Sequence, residues 1–181
     1  MFFGYLHHPP EAFLSPLAAV SRVFCIFGEM LLKERYTNLA RTVEAMQIQI
    51  EDSLEYARYF TPTGETPRSL FHLLKQHTVY RNDPPGVELL QSMPTLMENN
   101  WWGVRGAGDC DCFTIAAVAC CAVEKIPCRI VLVGNSTQCP THVYCEVLDG
   151  GRWVPFDLVA PFYGETKKYK YLSRVKVKSK F

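Results

Sequence analysis

Charge excess, a membrane-length apolar run and a stapling pattern of cysteines are all missing from this sequence. Its 19 Lys+Arg are balanced by 18 Asp+Glu, a formal net charge of +1 over 181 residues. That balance gives no global attraction to nucleic acid, membrane or a strongly acidic substrate. The most apolar early stretch, residues 17–32, is broken by Ser21, Arg22, Gly28 and Glu29 and falls short of the roughly 20 apolar residues that a membrane span requires. Met1 to Pro10 lack the basic start of a secretory leader, and Pro9, Pro10 and Pro16 interrupt any leader-like helix. The expectation is a reducing, cytoplasmic setting without a membrane partner. No C-x-x-C pair, EF-hand loop or internal repeat is present.

What the chain does have is cysteine. Seven of its eight cysteines crowd into residues 110–145, too close together to act as a framework of loop-closing disulfides. Cys120 and Cys121 sit in an apolar run and read as small buried hydrophobes. Cys110, Cys112, Cys139, His142 and Cys145 could be imagined around zinc, but Cys145 has the opposite strand parity from His142 and points to the other face. Neither a metal nor a cofactor is expected.

An apolar fraction of 48% is enough for a real core. Val43, Met46, Ile50, Leu54 and Ala57 recur at helical spacing and predict one buried face of a helix over 38–60. Thr-Pro-Thr-Gly-Glu-Thr-Pro at 61–67 ends that helix. It divides the chain into an N-terminal helical extension (1–62), a main domain (63–164) and a basic C-terminal tail (165–181). Thr66-Pro67 has the chemistry of a helix start, with Leu70, Phe71, Leu73 and Leu74 turned inward up to His77. A loop follows at 82–86. Residues 113–123 are apolar nearly all round, as in a central buried helix, and 126–133, 141–148 and 152–159 read as strands. Helix first and sheet after gives an α+β fold.

Cys110 stands where a Gly-containing turn enters that helix. There, backbone N–H groups and the macrodipole favour a thiolate and could hold an oxyanion; the alternative is one more core cysteine. Asp149-Gly150 is a strong two-residue turn signal, and in its register Leu148 pairs with Gly151 and His142 lies opposite Asp157, with Cβ atoms about 4.5–5.5 Å apart. A Gly150-Gly151 turn instead makes His142 and Asp157 diagonal neighbours on the same face. In either register a histidine base acquires an aspartate orienter.

Gly108-Asp109-Cys110-Asp111, Thr141-His142-Val143-Tyr144-x-Glu146-Val147 and Trp153-Val154-Pro155-x-Asp157 resemble the transglutaminase-like superfamily of papain-like thiol enzymes, over about residues 68–163. The block from Tyr80 to Glu88, with Gln91 and Pro94, is similar to the segment found before the catalytic motif in phage and prophage members. The resemblance implies a papain-like α+β core, a buried nucleophile helix packed on an antiparallel sheet. It also implies Cys110 as nucleophile, His142 as general base and acid, and Asp157 as the residue holding the imidazole tautomer. The substrate would be an amide of a protein or peptide, opened through an acyl-thioester. The alternative is a phage virion or assembly protein, in host cytoplasm or particle, that uses the fold to bind phage structural proteins. Family members often carry a second acidic residue where Cys112 stands here.

Two further residues are candidates for the cleft. Gln91 could donate to the oxyanion, and Trp102, beside Trp101, could wall the acyl site. The tail from Lys167 to Phe181 has seven Lys/Arg and no acid. It reads as a solvated edge strand, or as a docking segment for nucleic acid or an acidic protein.

Overall fold

The computed structural model describes residues 25–26, 29–32, 39–85, 88–98, 105–136 and 140–177. Trp101, Trp102, Cys139, His7 and His8 lie outside them. Helix α1 (Leu39–Phe60) forms where the apolar spacing predicts, and Val43, Met46, Ile50 and Ala57 on its inner face are at most 7% exposed. Helix α2 (Pro67–His77) starts with a capping box: Ser69 N–H donates to Thr66 Oγ1 at 3.2 Å while Thr66 N–H donates to Ser69 Oγ at 2.9 Å. Leu70, Phe71 and Leu74 are buried and Leu73 partly so.

Several short elements follow that the periodicity did not announce: β3 (Thr78–Tyr80), β4 (Glu88–Gln91), α3 (Met93–Met97) and β5 (Gly106–Gly108). β3 pairs with β5 in parallel. β4 pairs with β2 (Glu29–Leu32), which also pairs with β1 (Cys25–Ile26). Helix α4 (Cys110–Val123) comes next, and every residue from Cys110 to Cys121 is buried. α1 packs along one side of α4, and the main sheet takes another.

That sheet is antiparallel, in the order β8-β7-β6-β9, from β6 (Cys128–Gly134), β7 (His142–Asp149), β8 (Arg152–Phe156) and β9 (Tyr171–Lys176). Val143, Cys145 and Val147 of β7 face the main core shared with α4. On the other face Tyr144 packs with Val131, Val133 and Tyr169. β9 is the expected edge strand, mostly exposed. Arg174 of β9 and Arg129 of β6 both donate to Glu146 of β7, at 2.9 and 2.6 Å. Burial pushes the Glu146 carboxyl up, but the two guanidiniums outweigh it and hold it below the usual range.

The β7–β8 register corrects the preferred sequence reading. Asp149 pairs with Arg152 and Leu148 with Trp153, so the turn is Gly150-Gly151 and not Asp149-Gly150. Both glycines have positive φ, 56° and 77°, as a tight hairpin turn of this kind demands at both central positions, and glycine meets that demand without steric cost. Asp149 stays in the strand, where its Oδ2 accepts from the Tyr163 hydroxyl at 2.7 Å.

A glycine before α4 allows backbone to approach backbone. A Cβ at Gly106 would sit 2.2 Å from the Leu96 carbonyl oxygen, an atom held in a packed segment. Gly106→Ala is expected to destabilise the protein by about 3 kcal/mol, the upper end for overpacking a core. Urea denaturation measures this. Gly64→Ala is the open-space comparison, since a Cβ added there would meet nothing within 4 Å although its φ is +86°.

Candidate active site

The start of α4, the start of β7 and the end of β8 carry the groups singled out in the sequence. Asp109 is the N-cap of α4 and Cys110 opens its first turn, 8% exposed. The backbone N–H of Val143, the residue after His142, lies near enough to the Cys110 sulfur to favour its charged form. Burial pushes this thiol up, and the flanking Asp111 and Asp109 carboxylates push it further, while the Val143 N–H acts in the opposite sense. The net position is well above 9.0. The thiolate preference of a helix N-terminus is thus opposed locally by burial and by the two carboxylates.

Asp157 does not face His142 across a ladder. β8 ends at Phe156 and the chain turns at once, with Ala160 N–H donating to the Asp157 carbonyl at 2.9 Å. The turn brings Asp157 Oδ2 to 2.9 Å from His142 Nε2, with side-chain exposures of 4% and 10%. The same carboxylate accepts from Thr166 Oγ1 at 2.9 Å and from Val159 N–H at 3.0 Å. Burial raises the Asp157 carboxyl, but the bonds from His142, Thr166 and Val159 outweigh it and leave it below 3.8. A carboxylate only accepts, so Nε2 carries the imidazole proton and Nδ1 is left as the basic nitrogen.

The imidazole is flanked by aromatic rings. Tyr144 lies 5.9 Å away at 26° and Tyr169 5.8 Å away at 21°. His142 and Asp157 open on a cavity of about 480 Å³ bordered also by Tyr80, Thr166, Lys167 and Tyr169. Burial raises Tyr80 to about 12, and a charge on Cys110 would push the same way; Tyr169 is raised for the same leading cause, and Cys110 again contributes. Both phenols are therefore close enough to the sulfur to feel it. A larger groove, about 760 Å³, lies beside Val123, Ile126 and Leu54 at the other end of α4 and carries none of these groups.

Gln91 ends β4. Its backbone N–H donates to Cys112 Sγ at 3.3 Å, and its Oε1 lies 3.1 Å from where a Cβ on Gly108 would stand, against the turn into α4. Trp102 lies outside the described residues. The Cys112 thiol donates to Leu89 O at 3.1 Å, so it is turned onto β4. Cys145 is buried near the Phe156 carbonyl on the other face of β7. The cysteines and His142 imagined around zinc form no such cluster among the described residues.

Thr166 and Tyr169 were missed in the sequence because they lie among the lysines of 165–170. A hydroxyl and a ring in a polar run carry no periodic signal, and only the three-dimensional turn after β8 brings them to His142.

A profile of the transglutaminase-like superfamily matches residues 54–158, more than half of the chain, and the chain belongs to that superfamily. Its fold is the α+β arrangement of that family, a buried helix on an antiparallel sheet with a further helix before it. Among solved structures it is similar to a candidate cysteine protease from Cytophaga hutchinsonii, at 13% identity and a TM-score of 0.42 over 84% of this chain and 64% of that one. It is also similar to a TGase, at 14% identity and a TM-score of 0.35 over 74% of this chain and 36% of that one. The chain thus spans less than two thirds of the length of either. No curated protein matches it. No helix among the described residues is long and apolar enough to cross a membrane.

The lowered Asp157 carboxyl sets a pH dependence. Its contribution to stability is fully present above 3.8, the unfolded value, and is lost as pH falls through the lower folded value. The stability gap between wild type and Asp157→Asn should therefore shrink as pH falls below 3.8. Chemical denaturation at each pH measures it.

Proposed function

We propose that the protein is a thiol enzyme that opens amide bonds, of a peptide backbone or a glutamine side chain, through an acyl-thioester at Cys110. The observation that carries this reading is the His142–Asp157 hydrogen bond of 2.9 Å, one residue before Val143, whose backbone N–H acts on the Cys110 sulfur. The bond fixes Nδ1 as the ring nitrogen that takes the Cys110 proton. Sulfur then attacks the amide carbonyl, forming a C–S bond and a tetrahedral oxyanion. The N–H at the start of α4 and the Gln91 side-chain amide are the proposed donors to that oxyanion. Collapse breaks the C–N bond, and the imidazolium returns its proton to the departing amine. Water gives hydrolysis and a second amine gives transfer; in each case His142 removes the nucleophile's proton, and the thiol is regenerated.

Because burial and the flanking carboxylates push the Cys110 thiol up, proton transfer to His142 is proposed to accompany attack. This is why the orienting carboxylate matters: it stabilises the imidazolium that forms. The cavity of about 480 Å³ at His142 has room for a peptide side chain or an acyl segment.

The test is capture of the acyl-enzyme. The full chain is incubated with a pool of glutamine-containing peptides, quenched in acid and mapped by mass spectrometry, with a fluorescent primary amine added in a parallel reaction. An acyl adduct on Cys110, with peptide cleavage or amine incorporation, is the expected result. Cys110→Ala should lose it entirely, and Asp157→Asn should lower turnover by roughly 10⁴-fold, the scale of losing the orienting carboxylate in a triad. Adducts on other cysteines, or turnover unchanged in Asp157→Asn, would contradict the reading.

A further inference from the structure

Asp157 is placed by a turn, and a turn needs something to hold it. β8 ends at Phe156, and the two bonds inside the turn run from Ala160 N–H to Asp157 O at 2.9 Å and from Val159 N–H to Asp157 Oδ1 at 3.0 Å. Both are local, so they move with the turn and do not fix it against β7. Two further bonds come from outside. Thr166 Oγ1 donates to Asp157 Oδ2 at 2.9 Å from the segment before β9, and Lys75 Nζ donates to the Leu158 carbonyl at 2.8 Å from the last turn of α2. Of these two, the second ties the turn to a packed helix.

That helix is firmly seated. Leu70, Phe71 and Leu74 are at most 1% exposed, and Phe71 meets Phe156 and Tyr163 edge-on, with ring centres 5.4 and 5.8 Å away. Lys75 follows Phe71 by four residues, so it lies on the same helix face, about 6 Å further along the axis. Leu158 follows Phe156 by two, roughly the same distance in extended chain. The seating of α2 on the end of β8 therefore delivers the Lys75 ammonium to the Leu158 carbonyl, next to Asp157. A lysine in the last turn of a helix ordinarily serves the macrodipole from solvent. Here it is half-buried: burial lowers its ammonium, while the Asp157 charge acts in the opposite sense. None of the ion pairs among the described residues includes it.

We propose that Lys75 is a positioning residue for the catalytic pair: it clamps the turn after β8 onto α2 and so holds the Asp157 carboxylate in line with His142 Nε2. The inference rests on the reading of that pair as base and orienter. Displacing a catalytic group by about 1 Å costs on the order of a hundredfold in rate, so a clamp acting through the residue beside Asp157 bears on the chemistry without touching substrate.

The test pairs a spectroscopic and a kinetic readout on the full chain. With ¹⁵N-labelled histidine, the His142 Nε2 proton bonded to Asp157 is expected as a downfield, slowly exchanging resonance. Lys75→Met keeps the aliphatic stem and removes the ammonium. It should broaden or lose that resonance and slow iodoacetamide alkylation of Cys110 about tenfold at neutral pH, with the circular dichroism of the fold unchanged. Lys75→Arg keeps a cationic donor and should restore both readouts. Lys75→Gln, polar but uncharged, should fall with Lys75→Met and replaces it if that variant does not fold. An unchanged resonance and an unchanged Cys110 rate in both uncharged variants would overturn the proposal, as would a loss that Lys75→Arg does not restore. The resonance needs no reactive Cys110, so failure of the catalytic reading and failure of the clamp are told apart.

Discussion

Helix α4 has no polar face to offer to water. From Cys110 to Cys121 every side chain is buried, so the helix is stable only if neighbours cover it on all sides. α1 covers one side, the sheet through β7 another, and α2, α3 and β4 pack against the remainder. Alanines and cysteines make this close approach feasible, since small side chains let flanking elements come near the helix axis. Burial of the whole helix also fixes its N-terminus, and Cys110 is therefore placed by the core and not by a mobile loop.

Fixing that terminus puts Cys110 between two unlike environments. Towards β7 lies the Val143 N–H, one residue after the histidine of the His142–Asp157 pair; nearby lie Asp109 and Asp111, whose charges resist ionisation of the sulfur. An activated nucleophile requires the first environment to overcome the second at the moment of attack. The segment after β8 contributes to that balance. Thr166 completes the hydrogen bonds of Asp157 and Tyr169 lies along the imidazole, while β9 follows as the edge of the sheet. Residues that read as a solvated basic tail are thus part of the wall around His142.

Much of this was legible in the sequence wherever a single physical signal dominated. The 3.6-residue spacing of Val43, Met46, Ile50 and Ala57 gave α1, the Thr66-Pro67 start gave α2, and the all-round apolar run gave α4. The hairpin was legible and its register was not settled. Asp-Gly and Gly-Gly both satisfy a two-residue turn, and the choice fell to the pair in which both positions take positive φ without cost. The short elements β3, β4, α3 and β5 were invisible because three to five residues hold too little periodicity to stand out. Motif spacing made the His142–Asp157 proximity readable in either register. The contacts that tune the pair come from Thr166 and Tyr169, whose neighbours in sequence are lysines and whose positions follow from a turn that no local pattern announces.

The central claim is that Cys110 and His142 act as one chemical unit. Site-resolved alkylation by iodoacetamide, followed by mass spectrometry across pH in wild type and in His142→Ala, tests it most directly, with Cys112, 1% exposed, as the internal control. The account expects Cys110 to react at least tenfold faster than Cys112 and to slow about tenfold when the imidazole is removed. Equal rates at the two cysteines, or a Cys110 rate indifferent to His142, would contradict it.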